Sequence, residues 1–275
     1  MAPHMTTNPI SSGSIFLNDA IDVAPSRLGD ALLEQLTQAI VDGRFQPGDP
    51  LPSESQLASA FKVSKPVARE SLRELAAMGV VLVQQGKVSR VRAMDGAPLQ
   101  RFYRLALGSG HQRLREAVEL RRILEGPIAR LAAQHRTADE LVDLDAALGC
   151  MDRARGNVSA WIDADLEFHR VLAQMTKNRL LVLQINGLEP MVQDMMVRFN
   201  ANQSQTGRNW DATFDRHKAI ADAVHAGDGA AAFLAMDSHF SAAEKSVEEI
   251  FGNPPRTKPG TSTPTSSTGR QAGDA

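Results

Sequence analysis

LPSESQLASAFKVSKPVARESLRELAAM, residues 51–78, is the stretch whose reading decides the fold. Ser53 can cap a helix, and Gln56 three residues later completes a reciprocal capping box. That helix is short and closes at Phe61, with Lys62 and Val63 making the turn. Ser64 caps a second helix with Pro66 in its first turn, where a missing N–H costs nothing. At about 100° per residue, Ala68, Leu72, Leu75, Ala76 and Gly79 share one face of that helix. Arg69 and Arg73 lie on the other side, one turn apart. A short capped helix, a tight turn and a second helix with a basic outer face predict a helix-turn-helix. Two packed helices with a solvated charged face would leave the same trace, so the flanks have to decide.

Upstream, residues 28–40 carry apolar side chains at helical spacing and stop at Gly43, where a C-terminal glycine belongs. Downstream, 80–84 and 88–92 are β-branched runs joined by Gln85-Gly86-Lys87, which predicts a two-stranded hairpin. Three helices and a hairpin make a winged helix over residues 24–95. Charge agrees with this. The chain of 275 residues has a net charge of −2, yet residues 60–94 hold seven Lys or Arg against two Glu. A local basic patch on an acidic chain is the footprint of a double-stranded DNA partner for one unit only.

Length allows two domains with a core in each. The single cysteine, Cys150, can make no internal disulfide, which fits a reducing cytoplasm. No apolar run approaches the roughly 20 residues that span a membrane, and the opening residues lack the basic-then-apolar order of a secretion signal. The expected protein is cytoplasmic, with no membrane partner. Residues 1–23 and 252–275, rich in Ser, Thr, Pro and Gly, are expected to be disordered. Residues 96–111 read as a linker. From 112 to 251 helical periodicity persists, and six helices are expected: 112–135, one capped by Thr137 and Glu140, 159–175, one capped by Asn178, 210–226 and 229–251. The fold class is therefore mainly α: an N-terminal winged helix-turn-helix and a C-terminal antiparallel all-helical bundle.

Four residues of the bundle stand out. Asp165 and His169 are four apart on one helix and share a face. His217 lies ten residues before Gly227 and His239 twelve after it. In antiparallel helices those positions fall within about 3 Å of the same height at a 1.5 Å rise per residue. Three imidazoles and a carboxylate suit a divalent metal, Zn²⁺, Ni²⁺ or Mn²⁺. On spacing alone, interior histidines beside a carboxylate are more often hydrogen-bonded core groups than ligands, and the choice stays open. His225, at a helix C-terminus that favours a cation anyway, is assigned no site.

Two stretches resemble a known family. Gly43-Arg-Phe-Gln-Pro-Gly-Asp-Pro-Leu-Pro-Ser-Glu54, continued by Val63-Ser64, Val67, Arg69-Glu70, Leu72, Leu75 and Gly79, is similar to the signature of the GntR family of bacterial transcription regulators. Asp165-Leu-Glu-Phe-His169 with Ala173 and Asn178, then His217, Ala223, Gly227-Asp228 and His239, resembles the FCD effector domain of its FadR-type branch. The resemblance implies a homodimer that binds an operator. Its DNA contacts would come from Ser53, Ser55, Ser64, Lys65, Pro66, Arg69 and Arg73 of the helix-turn-helix and Gln85, Gly86 and Lys87 of the wing. It also implies a metal held by Asp165, His169, His217 and His239. A small carboxylate effector would meet Arg121, whose fork suits it, and Asn178. Two positions depart from the family pattern: Ser55 and Lys65 stand where arginine is common, and lysine offers a point charge instead of a bidentate contact to guanine. The function expected is a ligand-responsive transcription regulator, a repressor released by a carboxylate. The alternative from the same residues is a metal-dependent hydrolase or lyase using the Asp/His₃ site, opposed by the absence of a paired base and nucleophile.

Overall fold

Reciprocal capping starts the second helix as expected. In the computed structural model the Ser53 hydroxyl accepts from the Gln56 N–H at 3.3 Å, and the Gln56 side chain accepts from the Ser53 N–H at 2.8 Å. The structure describes residues 25–84, 86–107, 111–203 and 210–251. The segments expected to be disordered, the wing residue Gln85 and residues 108–110 lie outside them. The winged helix comprises α1 (Pro25–Val41), α2 (Glu54–Phe61), α3 (Lys65–Ala77), β1 (Val81–Leu82) and β2 (Arg90–Val91). Lys62 turns the chain between α2 and α3 in the left-handed region, at φ 52°. Ser64 occupies the N-cap of α3, but its hydroxyl makes no capping hydrogen bond. Leu32, Leu36, Leu51, Leu57, Leu72, Leu75, Val81 and Val91 close one apolar core. Ser71, also buried, ties α3 to α1 by donating to the Gly29 carbonyl at 3.4 Å.

The hairpin is shorter than the β-branched runs suggested. Only Val81↔Val91 and Leu82↔Arg90 pair. The outer valines, Val83 and Val88, are exposed, so no packing rewards pairing beyond the two core residues. The other edge of β2 is taken by the turn at 48–51: Gly48 N–H donates to Val91 O at 2.8 Å and Leu51 N–H to Ser89 O at 2.8 Å.

The expectation of a linker over 96–111 needs correction. Residues Ala97–Ala106 form a helix, α4, packed on the later helix α8. The bundle follows as α5 (His111–His135), α6 (Ala138–Arg153), α7 (Val158–Met175), α8 (Arg179–Gln203), α9 (Trp210–Ala226) and α10 (Gly229–Phe251). Within it α5 packs on α10, α7 and α9, and α7 also packs on α6 and α8. Gly126 lets α5 approach α10, since a Cβ there would sit 2.8 Å from the Phe233 ring.

Residues far from α4 in sequence create its seat. Pro190 lies inside α8 and cannot donate to the Asn186 carbonyl one turn earlier. That carbonyl accepts from the Gln100 amide of α4 at 2.9 Å. Gly187 and Gly96 bring the backbones together: a Cβ on Gly96 would meet the Asn186 carbonyl carbon at 2.6 Å. At the other side of α4, Arg101 reaches the Ala77 carbonyl at 3.5 Å, and a Cβ on Gly79 would meet Pro98 at 2.7 Å. One helix thus touches both the end of α3 and the bundle.

Gly96→Ala is expected to destabilise the protein by about 1–3 kcal/mol, the usual range for overpacking. Gly149→Ala is the control. It lies inside α6, where an added Cβ meets only the flexible end of Arg153, so it should be neutral or stabilising by up to about 1 kcal/mol. Denaturant unfolding of the two variants checks both signs.

Candidate metal centre and nucleic-acid interface

Three helices of the bundle bring four side chains to one buried polar cluster. Asp165 and His169 come from α7, His217 from α9 and His239 from α10, and all four are buried. The antiparallel register brings the last two to one level, as their spacing predicts: the ring centroids of His217 and His239 are 4.5 Å apart. His169 lies 5.6 Å from His217 and 5.2 Å from His239 by the same measure. Each imidazole offers a nitrogen to a common point, with these atoms all within 4.8 Å of one another.

Three ring nitrogens in this cluster, Nε2 of His169, Nε2 of His217 and Nδ1 of His239, are buried without a hydrogen-bond partner. Buried polar atoms are almost always satisfied, so three orphans in one cluster need an explanation. Asp165 Oδ1 is 3.1 Å from His217 Nε2, and Oδ2 is 4.0 Å from His169 Nε2. The first distance is short enough for an ion pair but is not aligned as a hydrogen bond. The opposite ring atoms are occupied. His217 Nδ1 faces the Thr213 carbonyl at 2.8 Å, and His169 Nδ1 faces the Glu125 carboxylate. Nδ1–H in both rings is the tautomer that leaves a lone pair on Nε2, the form that ligates a metal.

Burial raises the Asp165 carboxyl, but His217, His169 and Arg121 outweigh it and hold it well below the carboxylate range. Burial likewise raises Glu125 on α5, and Arg121 and His169 bring it below its ordinary value. His239 is pushed well below the ordinary histidine value by burial and by its two imidazole neighbours, so it is neutral. The His/His/His set can hold a divalent metal, with Asp165 beside it.

Arg121 is buried, 4 % exposed, with Nε paired to Glu125 and its guanidinium 5.1 Å from the Phe240 ring centre. Sequence reasoning placed Arg121 here and assigned Glu125 nothing, although the two stand four apart on one helix. Asn178 is not brought to the cluster. It is exposed past the end of α7, where its side chain accepts from the Leu180 N–H at 3.0 Å at the start of α8. His225 is likewise elsewhere, paired to Asp145 at 2.8 Å on the surface.

On the winged helix, Ser53, Ser55, Ser64, Lys65, Pro66, Arg69, Arg73, Gly86 and Lys87 are all exposed. Gly86 adopts φ 73° at the tip of the wing. Arg69 is already engaged: Nε lies 3.0 and 3.1 Å from the two Glu54 oxygens and Nη2 2.8 Å from Oε2. This pairing clamps α2 to α3. Hydrogen bonding to Arg69 lowers the Glu54 carboxyl, and Glu54 in turn raises Arg69.

A winged helix with a basic outer face, joined to a helical bundle around a buried polar centre, defines a class: ligand-responsive DNA-binding transcription regulators. Comparison with known proteins takes this to a family. Residues 28–91 match the family model described as bacterial regulatory proteins, gntR family, and residues 116–242 match the FCD domain. The HTH-type transcriptional regulator LutR of Bacillus subtilis is 30 % identical over 220 residues, covering 77 % of this chain and 97 % of that one. The HTH-type transcriptional repressor NanR of Escherichia coli K12 is 30 % identical over 235 residues, covering 80 % and 84 %. Among solved structures, a GntR protein of Streptococcus agalactiae aligns with a TM-score of 0.65 at 24 % identity over 79 % of this chain and 99 % of that one, a likeness of fold. The chain belongs to the GntR family, in the FadR-type branch that carries an FCD effector domain. It is a transcription regulator and not an enzyme. None of the helices among the described residues is long and apolar enough to cross a membrane.

Arg121→Met should destabilise the metal-free protein by about 3–5 kcal/mol, because it strands Glu125 as a buried charge. Adding Glu125→Leu should recover much of that loss. Unfolding of the single and double variants measures the coupling.

Proposed function

We infer that the protein is a homodimeric repressor released from an inverted-repeat operator when a small carboxylate binds at a metal site in the bundle. The observation that carries the metal half is the clustering of three buried histidines, each with an unpartnered ring nitrogen, beside Asp165. In this reading Asp165, His169, His217 and His239 hold the ion, Zn²⁺, Ni²⁺ or Mn²⁺. When bound, such an ion supplies an open coordination position and a positive charge for an anionic ligand. Charge balance supports the class of effector. Two ionised carboxylates, Asp165 and Glu125, against one guanidinium, Arg121, leave the buried cluster with one negative charge. A divalent ion turns that into one positive charge, which a monocarboxylate neutralises. Buried charge left uncompensated is costly, and the Arg121 fork suits the incoming group.

For DNA, α3 lies in the major groove, presenting Ser64, Lys65, Pro66, Arg69 and Arg73. Ser53 and Ser55 stand at the start of α2, and the wing residues Gln85, Gly86 and Lys87 lie near the minor groove. Two-fold symmetry in the protein matches an inverted repeat. The E. coli relative NanR is named a repressor, and we give this chain the same sign. Helix α4 supports coupling, since it touches both the Ala77 end of α3 and the Asn186 region of α8. To shift operator binding, the effector must bind the two placements of α4 with different affinity.

Elemental analysis tests the metal. His217→Ala and His239→Ala should each strip the ion and reduce effector response more than bare operator affinity, while His225→Ala keeps full occupancy. Full occupancy in both of the first two variants would exclude this ligand set. On DNA, Arg69→Ala should weaken operator binding by about 1–3 kcal/mol if the arginine leaves Glu54 to read a base edge. Lys87→Ala should weaken specific and nonspecific binding alike and reduce the salt slope by about one. Operator titrations across a salt series separate the two. Wild-type affinity in Arg69→Ala would mean that Glu54 holds this side chain off the bases.

A further inference from the structure

Two carboxylates are buried among the described residues. Asp165 faces the inward ring nitrogens, whereas Glu125 lies behind His169. One Glu125 oxygen meets Nδ1 of His169, the other meets Nε of Arg121, and the side chain is 1 % exposed. We propose that Glu125 is a positioning residue for the metal ligand His169, itself held in place by Arg121. This rests on the metal reading above.

The argument is geometric. A carboxylate accepting from Nδ1–H selects one of the two imidazole tautomers and puts the lone pair on Nε2. It also fixes the ring plane and raises the basicity of the ligating nitrogen. His169 has this charged partner, while His217 has the neutral Thr213 carbonyl in the same role at 2.8 Å. A buried carboxylate with a single partner is a liability, and Arg121, one turn earlier on α5, removes it. Arg121 and Glu125 share one helix face, so the relay is as rigid as α5. The metal ligand and the arginine assigned to the effector are then joined through one side chain.

The test compares zinc affinity in wild type and Glu125→Gln, with chelator-stripped protein and Zn²⁺ alone titrated against a competing chromophoric chelator. Glutamine keeps the size but replaces one of the two accepting oxygens, one toward each donor, with a donating amide nitrogen. Zinc affinity should fall 10- to 100-fold, and the visible bands of the Co²⁺-loaded variant should shift, a change that loss of stability alone would not produce. A second measurement needs no variant: imidazole ¹⁵N shifts of metal-free wild type should show His169 as the Nδ1–H tautomer, and this decides the matter if Glu125→Gln fails to fold. Unchanged zinc affinity with an unchanged cobalt spectrum overturns the proposal, as does an Nε2–H tautomer at His169. A wild type that binds no zinc sinks the metal reading and this one together. A wild type that binds zinc beside an unaffected Glu125→Gln sinks only this one.

Discussion

The bundle is built around a constraint that apolar packing cannot meet. It encloses two carboxylates, a guanidinium and three imidazoles in a core otherwise made of Leu, Ile, Val, Ala, Met, Phe and Trp. Each of these groups lost its water on folding, and each needs a partner. Arg121, Glu125 and the outer nitrogen of His169 satisfy one another, and the outer nitrogen of His217 finds a backbone carbonyl. The inner nitrogens are left. A core of this type is poor at producing stability, because each buried charge must first recover the cost of its lost hydration.

The placement of α4 obeys a second local rule. A proline inside a long helix removes a hydrogen bond, and Pro190 does so at Asn186. The bundle uses the released carbonyl as an anchor for Gln100, and two glycines allow the backbones to touch. The other side of α4 rests on the end of α3, the helix that carries Lys65, Arg69 and Arg73. Helix α4 thus touches both the bundle and the DNA-binding unit. The winged helix keeps its own core, closed by Leu32, Leu36, Leu72 and Leu75.

Much of this was legible in the amino-acid sequence because the signals are local. Capping boxes at Ser53 and Thr137, glycines after helices, and 3.6-residue periodicity act within one or two turns, and the helices over 54–61, 138–153, 210–226 and 229–251 begin and end where those signals stand. The level of His217 and His239 was also legible, since a short turn between antiparallel helices fixes their relative height. The identity of the fold followed from a 28-residue stretch and its flanks. Local rules failed where the deciding partner is remote. Residues 97–106 look like a linker because their seat lies some 90 positions away, and the hairpin runs looked longer because the valines beyond Val81 and Val91 have nothing to pack on.

By itself, then, the sequence determined most of the elements, their order, the class of protein and the histidines that cluster in the bundle. Only the tertiary structure decided which ring atoms find partners, that Glu125 stands behind His169, that Arg69 is held by Glu54, and that Asn178 stands on the surface away from the histidines. The physical reason is range. Helix propensity, capping and periodicity are settled by neighbours within a few residues. Hydrogen-bond partnership and burial are settled by whichever groups packing brings together, here from helices 40 to 120 residues apart.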